Sequence, residues 1–243
     1  MNFLFHRHLA TRDSGSGIAG FGAMLPDLWR MADRRLRPRP LERPEAPSRL
    51  PRVGERASEQ DKVAALLWGI EHHLALDGLF HRHPMLGEGE TLATRLLKEA
   101  EIQGDKVLLF GHVAWEICLD GALLRRQGLA ATKAGLRAEL AAIGPDVLSA
   151  ALRRHLPTAE ADTGERADAR VLGLLHQLAW GEWIDGYLNG AGIADRLEGI
   201  RYRLRLPPLE TAERKKSAAA LDQLLLAAEA RLDEALALTP LAG

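Results

Sequence analysis

The sequence contains only one cysteine, Cys118, among its 243 residues. An intramolecular disulfide is therefore excluded, and nothing in the sequence favours an oxidising compartment. The N-terminal segment lacks the basic start, long apolar stretch and small-residue cleavage site of a signal peptide. No segment has the roughly 20 uninterrupted apolar residues that a membrane span requires. We therefore expect a cytoplasmic protein that does not act on membranes.

The sequence also lacks an excess of charge of either sign. It has 32 Lys and Arg against 33 Asp and Glu, a formal net charge of −1. No global field therefore points to nucleic acid as the partner, and a charged partner must be met by a local patch. The hydrophobic share of 47% is enough to form a full core, which favours one domain.

Strand signals are almost missing, because β-branched runs and Asn-Gly turns give way to Ala, Leu, Arg and Glu. The pattern predicts an all-α, single-domain helical bundle. An Arg/Pro-rich segment at about 36–57 cannot continue a helix and predicts a surface loop. Trp68, Trp115, Trp180 and Trp183 are expected in the core. The predicted helices cover about 16–34, 58–80, 89–102, 106–127, 131–141, 145–154, 165–189, 191–204 and 210–237.

Two of these helices carry histidine and carboxylate residues at helical spacing. His73 and Asp77 share one face, and His112, Glu116 and Asp120 share another. If the two faces meet, they form a mixed pocket suited to Mn²⁺, Fe²⁺ or Zn²⁺. Such pairs also recur on solvated helix faces, so the spacing alone has low specificity.

The first 28 residues carry a resemblance to a known family. Residues 1–10, Met-Asn-Phe-Leu-Phe-His-Arg-His-Leu-Ala, resemble the Met-Asn-Phe-Leu-x-His-x-His-Leu-Ala start of the acyl carrier protein phosphodiesterases. These are helical proteins related to the HD-type metal phosphohydrolases. Residues 22–28, Gly-Ala-Met-Leu-Pro-Asp-Leu, are similar to that family's Gly-x-Leu-x-x-Asp-Phe stretch.

Three later segments follow the same family in the same order. Residues 69–84 are similar to its Gly-Ile-x-x-His-x-x-x-Asp run, which closes near a His-Pro. Residues 116–125 fit the place of its Asp-x-x-x-Asp-His-x-Leu-x-Arg motif, and residues 183–203 match its Trp-x-x-x-Tyr and Leu-x-Gly-x-x-x-Arg spacing. The resemblance is collinear over about 1–205.

The chain departs from the family pattern at three positions. His81 stands where the family has a second Asp, Glu116 replaces its preceding Asp, and Gly121 replaces the His of its Asp-His pair. The Arg/Pro-rich segment is also longer than the family leads us to expect. These differences indicate a divergent member.

The resemblance implies an HD-like helical domain over 1–205. Residues 206–243 lie beyond it, and we expect them to form a C-terminal helical extension packed on the same domain. It also implies a metal-dependent phosphodiester hydrolase that releases phosphopantetheine from a phosphopantetheinyl carrier protein, with Mn or Fe as the divalent metal. The last helix could support a homodimer.

The same resemblance assigns the candidate site residues. Those expected to bind the metal are His8, Asp27, His73, Asp77, Glu116 and Asp120. Those expected to take part in catalysis are Asp77, Glu116, His112 and His81. Residues at family-like positions that are expected to bind an anionic substrate are Arg125, Tyr187 and Arg203. Arg30 and Arg34 are added because their positive charge suits such a substrate.

Two other functions use the same residues. An HD-type di-iron oxygenase has a similar set of histidine and carboxylate ligands. A non-catalytic binding protein could retain the fold without the site. The role of His6 is also open, because only one of His6 and His8 faces inward if that segment is extended.

Overall fold

The computed structural model describes residues 2–33, 50–102, 107–155 and 161–238. Within these ranges it contains helices and turns but no strand, which confirms the all-α prediction. Arg34 and most of the predicted Arg/Pro-rich loop lie outside them. The helices are α1 (Phe3–Ser14), α2 (Gly17–Gly22), α3 (Leu25–Ala32), α4 (Glu59–Phe80), α5 (Pro84–Glu99), α6 (Val107–Gln127), α7 (Leu129–Ile143), α8 (Pro145–His155), α9 (Ala161–Trp180), a 3-10 helix (Ile184–Leu188), α10 (Gly190–Arg203) and α11 (Thr211–Leu236).

The helices belong to two compact units, each built from separate stretches of the chain. The N-terminal unit comprises residues 3–79 and 130–181, and the C-terminal unit comprises 80–129 and 182–238 together with Asn2. The predicted boundary between residues 205 and 206 falls inside the stretch 182–238 of the C-terminal unit. The HD-like character of the fold stays a prediction.

In the C-terminal unit, α6 packs against α5, α10 and α11. This helix is long and apolar enough to cross a membrane, but 78% of its most apolar window is buried inside the protein. Its residues include Cys118, whose thiol is fully buried, and burial raises the pKa of that thiol far above its ordinary value. The helix is thus a core element of this unit.

The last helix, α11, turns its apolar face towards the C-terminal unit. Leu221, Leu224, Leu225 and Leu232 are buried, and α11 packs against α5, α6 and α10. Leu226 remains 60% exposed. The apolar stripe that suggested a dimer is therefore used within this unit, and the dimer stays a prediction.

The N-terminus forms a helix that the sequence analysis did not predict. Residues 3–14 are helical, and the residue after α1 is Gly15, whose φ of +68° suits glycine just beyond a helix end. The predicted helix over 16–34 is in fact two helices, α2 and α3. Pro26 lies in the first turn of α3, where its missing N–H group costs nothing.

The start of α4 agrees with the prediction. The Asp61 N–H group donates to Ser58 Oγ at 3.1 Å, and the Ser58 N–H group donates to Asp61 Oδ2 at 3.2 Å. This reciprocal pair caps the helix predicted over 58–80, with Asp in the place of the more common Glu. The next helix, α5, starts at Pro84 rather than near 89, because His83 caps it and proline suits the first turn.

The predicted helix over 165–189 ends early, at Trp180. Two cations from α7 bind backbone carbonyl oxygens at this end: Lys133 Nζ donates to Gly181 and Arg137 Nε donates to Ala179. Cations at a helix C-terminus satisfy the carbonyl groups left without partners. Trp180 is therefore not a core residue as predicted but is 46% exposed, stacked on His176.

A buried ion pair joins α1 to α7 in the N-terminal unit. Arg7 donates to Glu139 through Nε at 2.8 Å and through NH2 at 2.6 Å, and both side chains are largely buried. Burial raises the pKa of Glu139 above its ordinary value of 4.5, although Arg7 opposes that shift. This pair fixes the orientation of α1, which also carries His6.

We predict that Arg7→Met will destabilise the protein by about 3–5 kcal/mol, because Glu139 is left as a buried charge without its cation. The double variant Arg7→Met/Glu139→Leu should recover most of the loss. Urea unfolding followed by circular dichroism measures both. Equal destabilisation by the single and double variants would contradict the conclusion that Arg7 compensates the buried charge of Glu139.

The same ion pair predicts a dependence of stability on pH. Because the folded-state pKa of Glu139 is raised, its contribution to stability is fully present below the unfolded-state pKa. It is lost as the pH rises through the folded-state value. As the pH rises from about 4 to about 8, the free energy of unfolding of the parent protein should therefore fall relative to that of Glu139→Gln. Urea unfolding of both proteins across this range measures the difference.

Candidate metal centre

Three potential metal ligands come together in the N-terminal unit. One ligand atom from each of His6, His73 and Asp77 lies within 4.8 Å of the other two. His6 and His73 are buried, and Asp77 is half-buried. We call this group the His6 cluster. Atoms bound to one cation through bonds of about 2.0–2.2 Å lie at most about 4.4 Å apart, so small side-chain rotations would complete a site.

The His6 cluster is formed by α1 and α4. The imidazole rings of His6 and His73 lie close together, with centroids 3.9 Å apart and planes tilted by 31°. Asp77 follows His73 by four residues on α4 and therefore lies on the same side of the helix. The sequence spacing predicted that His73 and Asp77 share a face of α4, whereas the contact between His6 and His73 depends on how α1 and α4 pack.

A glycine on α4 positions His73. A Cβ atom at Gly69 would overlap the carbonyl oxygen of Ala19, so α4 can approach α2 closely only with glycine there. Four residues further on each segment, His73 Nδ1 lies 2.7 Å from the carbonyl oxygen of Ala23. This carbonyl lies at the end of α2, where helix carbonyl groups lack intrahelical partners.

The bond to Ala23 determines the tautomer of His73. A carbonyl oxygen only accepts hydrogen bonds, so Nδ1 of His73 carries the proton and donates it. In the neutral ring Nε2 then has a free lone pair. In a metal-binding histidine, the ring nitrogen that does not bind the metal usually donates its hydrogen to a carboxylate, a backbone carbonyl or water. The donor set therefore fits a divalent cation.

The neighbouring residue, His72, has a different role. Its Nε2 atom lies 2.9 Å from Asp13 Oδ2, and its ring stacks on Trp68. Burial lowers the pKa of His72 despite Asp13, while Asp13 has a lowered pKa because bonds from Arg12 and His72 outweigh its burial. His72 therefore joins α4 to α1 through its contact with Asp13 and is not part of the His6 cluster.

Two predicted metal ligands lie outside the His6 cluster. His8 is half-buried on α1, two residues beyond His6, and so points about 200° away from it around the helix. Asp27 is half-buried in the first turn of α3. Neither belongs to a group of three ligands within the described ranges. The structure brings His6 to His73 and Asp77 instead.

The other predicted ligands belong to the C-terminal unit. Glu116 and Asp120 are buried on α6, with exposed fractions of 4% and 0%. His112, one turn before Glu116, lies beside His81 and Glu90, and one ligand atom from each of these three is within 4.8 Å of the others. His73 and Asp77 belong to the other unit, so the single shared cation stays a prediction.

The predicted substrate-binding residues have different environments. Arg30 and Arg203 are exposed. Arg125 donates to the carbonyl oxygen of Leu188 and to Glu229 Oε1, so it holds the 3-10 helix and α11 to α6. Tyr187 is only 1% exposed. Of these four, Arg30 and Arg203 are placed to meet a substrate in solution.

The glycine at position 121 has a structural explanation. A Cβ atom at Gly121 would overlap the carbonyl oxygen of Tyr187 and would lie 3.0 Å from Leu225 Cδ1. The histidine of the resembled family cannot fit here without moving the backbone. The departure from the Asp-His pattern is therefore coupled to the close approach of the 3-10 helix to α6.

Comparison of the chain with protein-family models, curated proteins and solved structures found no match. The family resemblance therefore stays a prediction. The candidate site is defined by the geometry of its own residues.

Two residues of these clusters, His6 and Glu90, are not predicted from the sequence. The His-x-His spacing allows only one inward residue if the segment is extended, so the role of His6 is open until the segment is known to be helical. A helical reading of residues 3–14 would have placed His6 and Asp13 on one face of α1, two turns apart. Glu90 had no signal in the sequence pattern, because its partners lie on other elements.

We predict that Gly121→Ala will destabilise the protein by about 1–3 kcal/mol through overpacking. Glycine to alanine in a helix interior normally stabilises by about 0.5–1 kcal/mol. Gly199 on α10 is the matched control, because a Cβ atom there would meet nothing within 4 Å. Thermal unfolding should show opposite signs for Gly121→Ala and Gly199→Ala; the same sign for both would contradict the packing argument.

Proposed function

We propose that this protein is a metal-dependent phosphodiester hydrolase whose cation is held by His6, His73 and Asp77. The observation that carries the proposal is the convergence of these three ligand atoms within 4.8 Å, with His73 oriented by the Ala23 carbonyl. Two imidazoles and one carboxylate occupy only part of a coordination sphere. Open positions for water and substrate are typical of catalytic rather than structural sites.

The ligand set is compatible with Mn²⁺ or Fe²⁺, which accept mixed nitrogen and oxygen ligands. When bound, such a cation neutralises the phosphate charge and lowers the pKa of a coordinated water. The residues of the chain supply the geometry. His73 is held on the Ala23 carbonyl, and the Arg7–Glu139 pair fixes the rotation of α1 and hence the position of His6. Asp77 is half-buried.

The resemblance to the acyl carrier protein phosphodiesterases supports a more specific substrate. In that reading the protein cleaves the phosphodiester between phosphopantetheine and a serine of a carrier protein in the cytoplasm. Arg30 is exposed in the same unit as the His6 cluster. A guanidinium there can bind a phosphate or an acidic carrier surface.

We predict that metal-depleted protein supplied with Mn²⁺ will remove the phosphopantetheine arm from a holo carrier protein, measured by mass spectrometry. His6→Asn and Asp77→Asn should each lower the rate by about 100-fold or more, because loss of a direct ligand costs more than the roughly 10–100-fold typical of losing a residue that only orients a ligand. His176→Asn, an exposed histidine on α9, is the control and should keep full activity.

Two results of this assay separate the class from the substrate. Mn²⁺-dependent cleavage of bis(p-nitrophenyl) phosphate without loss of the phosphopantetheine arm would retain the phosphodiesterase and reject the carrier protein. Hydrolysis unaffected by Asp77→Asn would reject the proposed site. An Asp77→Ala variant that is more stable than the parent, with no metal bound to either, would favour a non-catalytic binding protein.

A second candidate is an iron-dependent oxygenase. Two histidines and one carboxylate with open positions also form the ligand set of non-haem Fe²⁺ oxygenases, and the His6 cluster has this composition. Anaerobic reconstitution with Fe²⁺ followed by oxygen-electrode measurements distinguishes the two. The hydrolase predicts no oxygen uptake coupled to turnover of holo carrier protein, whereas stoichiometric uptake would establish the oxygenase.

A further inference from the structure

We propose that His81, Glu90 and His112 form a second metal site, in the C-terminal unit, that binds Zn²⁺ or a related late divalent ion. We call these three residues the His81 cluster. One ligand atom from each lies within 4.8 Å of the other two. The His81 cluster shares no residue with the His6 cluster, and it does not depend on the proposed function.

The three residues come from three successive segments of the chain. His81 lies in the turn after α4, Glu90 on α5 and His112 on α6. The rings of His81 and His112 are nearly parallel, with centroids 5.2 Å apart and planes 17° apart. His81 is exposed, while Glu90 and His112 are half-buried, so the site is open to solvent.

Two glycines bring Glu90 and His112 together. A Cβ atom at Gly89 would overlap the Trp115 indole, and one at Gly111 would overlap Thr94 Oγ1. Each glycine directly precedes one of the two cluster residues in the sequence. The helices α5 and α6 can therefore approach closely at both points, and the Glu90–His112 pair lies between these contacts.

Carboxylates lie beside both nitrogens of the His112 ring. Glu90 Oε1 is 2.6 Å from Nδ1, and Glu116 Oε1 is 3.5 Å from Nε2. Glu116, one turn after His112 on α6, is buried. Once a cation binds Nδ1, the proton of the neutral ring lies on Nε2, beside the buried carboxylate of Glu116. This is the carboxylate–histidine–metal arrangement.

Binding of a cation at this site replaces a proton. Without metal, His112 Nδ1 lies 2.6 Å from Glu90 Oε1, which is a hydrogen-bond distance. A divalent ion would take the place of the proton in this hydrogen bond, because a metal-bound imidazole nitrogen must be deprotonated. Two imidazoles with one carboxylate favour Zn²⁺, Co²⁺ or Ni²⁺ over Mg²⁺ or Ca²⁺.

The test uses Co²⁺ as a probe, because its visible absorption reports nitrogen and oxygen ligands while it takes Zn²⁺ sites. The full chain carrying His6→Asn and Asp77→Asn isolates the His81 cluster, and equilibrium dialysis gives the stoichiometry. We expect one equivalent of Co²⁺ that Zn²⁺ displaces. His81→Asn or Glu90→Gln in this background should weaken binding by about tenfold or more, as should Glu116→Gln through loss of ring orientation.

Two control variants match the substitutions. His176→Asn changes an exposed histidine, and Glu99→Gln changes an exposed carboxylate at the end of α5. Neither should alter the Co²⁺ spectrum or affinity. Absence of Co²⁺ binding by the isolating variant, or unchanged binding after His81→Asn and Glu90→Gln, would falsify the proposal.

The outcome is independent of the hydrolase proposal. If the isolating variant does not fold, His81→Asn in the otherwise unchanged protein must remove one equivalent, since this side chain is exposed and does not support the core. Loss of hydrolysis in Asp77→Asn with the Co²⁺ equivalent at the His81 cluster retained would support both proposals. Retention of that equivalent without any phosphodiesterase activity in the parent would reject only the hydrolase.

Discussion

Close approach of helices at glycine is the constraint on which both candidate sites depend. At Gly69 the backbone of α4 nearly touches that of α2, which brings His73 to the Ala23 carbonyl. In the other unit, Gly89 and Gly111 bring Glu90 to His112. A methyl group at any of these positions would overlap a neighbouring atom. The polar residues can converge because small residues beside them let the helix axes come close.

The two clusters differ in the groups that orient their histidine rings. His73 is oriented by a backbone carbonyl, which has no charge and holds the ring in one tautomer at any pH at which the imidazole is neutral. His112 is flanked by side-chain carboxylates, whose influence depends on their ionisation. The buried cluster is thus held by fixed dipoles, while the open one is held by charges that solvent partly screens.

Much of the fold could be predicted from the sequence, because apolar periodicity and helix caps are local signals. The cap at Ser58 and the ends of α6 and α8 agree closely with those signals. The end of α9 could not be predicted, since it depends on Lys133 and Arg137 from another helix. Only part of the His6 cluster could be predicted, because His73 and Asp77 follow from spacing along one helix. His6 and Glu90 depend on packing between helices, which no pattern along the chain records.

The burial of Cys118 has a practical consequence for work on this protein. It is the only cysteine in the sequence, and its fully buried thiol is held protonated, so it reacts poorly with alkylating or disulfide-forming reagents. A cysteine introduced on an exposed helix face would therefore be the single reactive thiol. Paramagnetic or fluorescent labels could then report distances to a bound Co²⁺ ion in a chain whose natural thiol stays silent.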